Sequence, residues 1–336
     1  MVCIYCERDL PRSGFSREHV VPRAFGAFER SLTLHEVVCS ECNQYFGDTI
    51  DFALARGSVE AVLRLATDVK SHSETDELRR ERIRFAWMAM GDWHGLILQL
   101  VAHPDGLVAE PVPQVGFATP TGDKFVFVPE EMLRDAAQPL PEVADPKQGL
   151  LLVANSADTQ QRLVEVLNAR GIRFQEHRRA ALPTQPDLVE IRATLDSLVL
   201  RCVAKIAFNY LAYTQPGGFA LREDFSVIRG FIRYNRHPPY PVIHVDSQPI
   251  LGDDTVTQRR TNGHLVTVDW ALDGTSIVAQ VSLFNQARYA VSLVREFRGV
   301  WWWIRSGYHF DIERRTVEPL LGTSVAPPGG TVFRRR

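Results

Sequence analysis

The sequence predicts an α+β fold: a small N-terminal unit with a metal site, joined to a larger mixed body whose C-terminal part is rich in strands. Three observations predict it. Four of the five cysteines fall into two C-x-x-C pairs near the N-terminus, Cys3/Cys6 and Cys39/Cys42. A long apolar run, Ser197 to Tyr213, has the length and composition of a buried helix. Beyond Val242, short runs rich in Val, Ile and aromatic residues recur between turn residues, as strands do.

Composition narrows the class. With 336 residues, 45% hydrophobic and 23% charged, the chain is neither disordered, collagen-like nor a coiled coil, and its length suits two or three domains. Lys and Arg total 38 against 40 Asp and Glu, a net charge of −2, so whole-chain charge carries no nucleic-acid signature. The N-terminal MVCIYCERDLPRSG lacks the basic stretch and apolar run of a secretory signal. The most apolar stretch, Trp87 to Val101, is broken by Asp92 and His94. A soluble, cytoplasmic protein without membrane partners is expected. A disulfide framework is an odd device for a chain this long, so the cysteine pairs point to metal in a reducing compartment.

In chain order, residues 1–57 form the cysteine-bearing unit. Its tail, Ser40 to Arg56, reads as a helix capped by Ser40, with Phe46, Ile50, Ala53 and Leu54 as its apolar stripe and Gly57 as its stop. Val59 to Lys70 continues as helix or extended chain, and Ser71 to Arg82 is a polar surface segment. Residues 58–240 form a mixed α+β body. Ile83 to Val128 is β-like; Pro139 to Pro146 is a loop; Gly149–Asn155, Thr159–Ala169 and Ile172–His177 read as strand, helix, strand; and 197–235 is a helical segment. Residues 241–336 are a β-rich targeting or sensing region, with strands at His264–Trp270, Ile277–Phe284, Tyr289–Val294 and Val300–Ile304.

Two C-x-x-C pairs separated by 32 residues suit a tetrahedral zinc held by four thiolates, Cys3, Cys6, Cys39 and Cys42. Cys202, inside the apolar helix, reads as a buried core thiol. Between the pairs lies Phe15-Ser-Arg-Glu18-His19-Val-Val-Pro22, where a carboxylate and an imidazole stand side by side at the end of a strand that Pro22 closes. Asn43 follows Cys42 in the first turn of the helix. Closing the loop on zinc would bring Glu18 and His19 against that helix start. Carboxylate and amide oxygens are hard ligands suited to Mg²⁺ or a similar ion, and an imidazole is a general base. Adjacent strand residues point to opposite faces, so Glu18 and His19 converge only where the strand bends.

Cys3-x-x-Cys6, then EHVVPRAFG, then VCSECNQYFGDTID resembles the HNH endonuclease superfamily, in the branch reading C-x-x-C…EEH-x-x-P…VC-x-x-CN-x-x-FG, over Cys3 to Asp51. The resemblance implies a ββα-metal site on a zinc-stapled treble clef. It implies that His19 deprotonates the attacking water, and that Glu18 and Asn43 hold a catalytic Mg²⁺ or Mn²⁺, with the cysteines structural. The family carries an Asn nine residues before the helix ligand to orient the base; here Leu34 stands there, and His35 or Thr33 beside it could serve instead.

The chemistry suits phosphodiester bonds, with DNA as the expected partner. Residues 1–57 hold six arginines against eight carboxylates, a poor unaided grip on DNA. Candidate grips elsewhere are the helical set Arg201, Lys205, Arg222, Arg229, Arg233 and Arg236, and a C-terminal set running from Arg288 to Arg336, both near aromatic residues such as Tyr213 and Trp301 to Trp303. Three classes of function follow. The first is a metal-dependent DNA endonuclease, of restriction or phage defence by analogy. The second is an effector nuclease gated by a small-molecule or protein activator. The third is a non-catalytic treble-clef binding module. Double-strand cleavage from a one-metal site would take two protomers, as in a homodimer, or two successive nicks.

Overall fold

The computed structural model describes residues 1–67, 85–91, 93–103, 106–122, 124–135, 137, 139–140, 149–175, 189–190, 195–215, 217–246, 263–299 and 304–320. In chain order these form β1 (Phe15–His19), β2 (Thr33–Cys39), α1 (Ser40–Phe46), α2 (Phe52–Gly57) and α3 (Val59–Ala66). Next come β3 (Phe85–Met88), β4 (Ile97–His103), β5 (Gly106–Pro111), β6 (Gln114–Ala118), β7 (Phe125–Pro129), α4 (Glu130–Arg134), β8 (Leu150–Val153), α5 (Ala157–Ala169) and β9 (Val189–Glu190). The last are α6 (Ser197–Thr214), α7 (Ser226–Tyr234), β10 (Ile243–Asp246), β11 (Gly263–Trp270), β12 (Ile277–Ser282), β13 (Arg288–Val294), β14 (Ser306–Asp311) and β15 (Thr316–Pro319). Helices and strands are both abundant, as an α+β chain requires.

The chain divides into two compact units, Met1–Lys70 with Thr194–Arg336, and Ser71–Ala193. Boundaries at residues 57 and 240 do not describe this division. The cysteine-bearing segment, α6, α7 and the C-terminal strands share one hydrophobic core, so they form one body.

In that first unit β1 and β2 pair antiparallel, with Phe15 opposite Cys39, then Glu18 opposite Leu34 and His19 opposite Thr33. The register shifts between Ser16 and Glu18, so His35, Glu36 and Val37 bulge opposite Arg17. Glu36 takes up the bend at φ 60. The helix after Cys42 forms as the apolar stripe predicts, widening to π-type bonding over Gly47–Asp51 before α2. Its N-cap is Cys39, not Ser40: the Cys39 side chain accepts from the Cys42 N–H.

The C-terminal strands make a six-stranded antiparallel sheet in the order β10-β13-β12-β11-β14-β15. Against it packs α6, whose Asp196 accepts from Val199 N–H as its cap and whose residues from Arg201 to Leu211 are all buried. Two opposed faces explain this. Tyr210 reaches the sheet, donating to Ser306 Oγ at 3.0 Å, while Cys202, Lys205 and Asn209 face the cysteine-bearing segment. The expected strand at 300–304 falls largely on residues outside those described, Trp301 to Trp303 included.

The second unit holds a four-stranded sheet, β5-β4-β3-β9, and a three-stranded sheet, β7-β6-β8. Helices α4 and α5 bury Leu133, Leu163 and Leu167 with Val115, Phe117 and Val128 of the three-stranded sheet. The fully buried Gln114 has its amide satisfied by Ile97 N–H and by the carbonyls of Ile97 and Val112. Residues 172–175 are irregular rather than a strand, and the polar segment 71–82 lies outside the described residues. Among the described residues, no helix is long and apolar enough to cross a membrane.

Candidate functional site

The cysteine pairs come together as their spacing predicts. The four Sγ atoms of Cys3, Cys6, Cys39 and Cys42 lie within 4.8 Å of one another. Cys6 and Cys39 stand 3.7 Å apart, against about 3.8 Å for the edge of a tetrahedron with ~2.3 Å Zn–S bonds. One knuckle is the turn after Met1; the other is the end of β2 running into α1. The backbone N–H of Cys39 donates to Cys3 Sγ at 3.3 Å, and two guanidiniums approach the sulfurs at 3.3 Å, Arg8 at Cys6 and Arg233 of α7 at Cys42. Four thiolates on Zn²⁺ carry a net charge of −2, which two arginines offset. The donor set fits a structural zinc.

The same closure places α1 against β1. Asn43 Nδ2 donates to Ser16 Oγ at 2.9 Å and to the Arg17 carbonyl at 2.8 Å. Its amide therefore grips the bulged strand just before the Glu18–His19 pair.

Glu18 and His19 point in opposite directions, as strand alternation requires. The Glu18 side chain turns inward and is 4% exposed. Its Oε1 accepts from Lys205 Nζ at 2.6 Å and from Asn209 Nδ2 at 3.1 Å, both on α6. Lys205 Nζ also donates to Asp51 Oδ2 at 2.7 Å, and Cys202 Sγ to Asp51 Oδ1 at 3.1 Å. Burial alone would discharge Lys205, but Asp51 and Glu18 raise its pKa above the ordinary lysine value. Burial, with Asp51 adding repulsion, raises the pKa of Glu18.

His19 faces the other way, into an open cleft of about 670 Å³ that it shares with Arg17, Arg23, Arg30, His35 and Tyr213. Burial, then the charges of Arg23 and Arg17, lowers its pKa below the ordinary histidine value, which favours the neutral imidazole that can accept a proton. Among the described residues its ring has no hydrogen-bond partner, and Arg17, Arg23 and Arg30 form no ion pair. A second hollow, lined by Arg12, Arg17, His35 and Glu36, shares Arg17 and His35 with this cleft, and in it Arg12 is paired with Glu36.

The sequence-predicted site is therefore only partly assembled. His19 and His35 line one cleft, while Glu18 is turned away from it and the Asn43 Nδ2 is held by β1. Thr33 does not orient His19, because its hydroxyl donates to the Ser31 carbonyl at 3.1 Å, and Leu34 is buried opposite Glu18. The expectation that Glu18 and Asn43 hold a catalytic divalent ion does not fit this donor set. The one buried carboxylate offered for it is already neutralised by an ammonium, and among the described residues no carboxylate lines the cleft around His19. Sequence reading also missed Lys205 and Asn209 as partners of the site. The available signal was polarity recurring at i, i+3 and i+7 (Cys202, Lys205, Asn209) on an otherwise apolar helix.

Half of the basic helical set expected as a DNA grip is likewise internal, while Arg222 and Arg236 are exposed. Arg201, Lys205 and Arg229 are at most 3% exposed. Arg201 donates to the Ile232 carbonyl and the Tyr45 hydroxyl, and Arg229 to the Ala220 and Arg222 carbonyls and to Glu7.

Comparison with the curated proteins and with the solved structures gave no match. Among protein families, the HNH endonuclease family matches residues 3–57, the segment carrying the cysteine quartet, Glu18, His19 and Asn43, and gives that segment a nuclease character at the level of the family.

Proposed function

We propose that the first unit hydrolyses phosphodiester bonds of DNA in the cleft around His19. The observation that carries this reading is the joint geometry of that cleft: a half-buried imidazole with a lowered pKa, opening among three arginines that form no ion pair among the described residues. The guanidiniums of Arg17, Arg23 and Arg30 bind the scissile phosphate and its neighbours and offset the charge that builds on the equatorial oxygens. The neutral His19 ring takes a proton from water as that water's oxygen attacks phosphorus. The P–O bond to the leaving oxygen then breaks, and that oxygen is protonated by solvent. Tyr213, 40% exposed at the end of α6, offers a ring on which a base can stack. His35, on the same wall, offers a ring N–H to a phosphate oxygen. Zinc serves here as a staple that holds the N-terminal turn against the corner between β2 and α1, and it takes no part in the bond cleavage.

By analogy with prokaryotic chains that join such a nuclease segment to a large unrelated body, we place this activity in restriction or phage defence. One pair of proteins tests both levels. Full-length protein should cleave supercoiled DNA, with or without added Mg²⁺, while His19→Ala retains zinc and DNA binding but loses cleavage by at least about 100-fold. In cells, only the active form should lower phage plating. Undiminished cutting by His19→Ala would remove the assignment. Binding without cutting by either protein would leave a treble-clef binding module instead.

A further inference from the structure

We propose that Lys205 and Asn209 are positioning residues for His19, the Lys205 ammonium occupying the place where two carboxylates would otherwise hold a divalent cation. The inference rests on the reading of His19 as the reacting base.

Glu18 Oε1 and Asp51 Oδ2 stand 2.6 and 2.7 Å from one Nζ atom. Two carboxylates converging on a single point are a donor set for a hard cation, and here the point is filled by an ammonium on α6 that is 0% exposed. Because Glu18 and His19 are adjacent on β1, fixing the Glu18 carboxylate to the inner side fixes the opposite, cleft-facing direction of the His19 side chain.

Asn209 completes the clamp. Its Nδ2 donates to Glu18 Oε1 at 3.1 Å and to the His19 carbonyl at 3.2 Å, so one amide spans both residues of the pair. The Tyr5 hydroxyl donates to Asn209 Oδ1 at 2.6 Å, which sets which end of the amide faces His19. Tyr5 is itself in the first cysteine knuckle, between Cys3 and Cys6. The clamp thus joins the zinc staple, β1 and α6 at the backbone of the base. It supplies from behind the strand the fixation that Leu34 cannot give from beside it.

Two measurements on the full chain test this, with zinc content as the check on folding. In the first, Mn²⁺ binding is followed by electron paramagnetic resonance. Wild type should show no binding that depends on Glu18. Lys205→Met should gain one Mn²⁺ per chain, and adding Glu18→Gln to it should remove that ion. Mn²⁺ bound by wild type and lost in Glu18→Gln would overturn the assignment of Lys205. This comparison stands even if Lys205→Met fails to fold.

The second measurement is kinetic. Asn209→Ala should lower kcat by about 10- to 100-fold at unchanged KM with zinc retained, the range seen when an outer partner of a functional histidine is removed. Lys205→Arg, which keeps the charge, should retain most of kcat. An unchanged kcat in Asn209→Ala would overturn its positioning role. Cleavage surviving His19→Ala would sink the functional reading instead and leave the Mn²⁺ result standing.

Discussion

His264 shows how one buried side chain ties the C-terminal sheet to the candidate site. Fully buried on β11, it accepts the Phe284 N–H at Nδ1 (3.1 Å) and therefore carries its proton on Nε2, which donates to the Phe25 carbonyl at 2.8 Å. Phe25 ends the short turn that begins at Arg23, so the imidazole pins the turn bearing one of the cleft arginines. Burial, helped by repulsion from His309, lowers its pKa to about 4. The folded state thus binds a proton less readily than the unfolded chain, whose histidines titrate near 6.5. The stabilisation is complete above about pH 6.5 and is lost as pH falls toward 4, a span of roughly 3 kcal/mol. Thermal unfolding of the full chain should therefore shift down between pH 7 and pH 5, and His264→Gln should flatten that dependence. An equal shift in both proteins would show that His264 is not the group responsible.

Helix α7 acts on the cysteine quartet as a unit. Arg233, in its last turn, donates to Cys42 Sγ, lies 4.1 Å over the Tyr45 ring, and reaches Glu41, which Arg8 also pairs with at 2.5 Å. The guanidinium stacks on an aromatic face while its N–H groups address sulfur and carboxylate, a geometry lysine cannot reproduce. Arg233→Leu should weaken zinc retention by about 10- to 100-fold, read by competition with a chromogenic chelator. Unchanged zinc affinity would reduce Arg233 to a surface ion pair. At this scale the sequence is legible where the pattern is local. The C-x-x-C spacing predicts the clustered cysteine quartet, and the apolar run predicts α6 almost to its ends. The sequence is mute where partners meet through tertiary packing. Lys205 lies 187 positions from Glu18, and nothing near Glu18 announces that its carboxylate turns inward. Nor does local pattern reveal that Arg201 and Arg229, basic in composition, spend their donors on backbone carbonyls.

Across the first unit as a whole, charge is sorted rather than merely balanced. Residues 1–57 carry a net charge of −2, yet six of their eight carboxylates are tied to cations: Asp9 to the N-terminus, Glu36 to Arg12, Glu41 to Arg8 and Arg233, Glu7 to Arg229, and Glu18 and Asp51 to Lys205. Three of those cations come from α6 and α7, so the body neutralises the acids of the cysteine-bearing segment and leaves Arg17, Arg23 and Arg30 as the charge facing the cleft. The argument from net charge, that this segment grips DNA poorly, counts groups whose field is cancelled within a few ångströms. Salt dependence of binding separates the two pictures. Each phosphate neutralised on duplex DNA contributes about 0.9 to the slope of log K against log salt. Replacing Arg23 and Arg30 together with alanine should therefore reduce that slope by about 2, whereas Arg201→Met, far from the cleft and internally bonded, should leave it unchanged in any variant that still folds. A slope indifferent to Arg23 and Arg30 would move the nucleic acid to another face of the molecule.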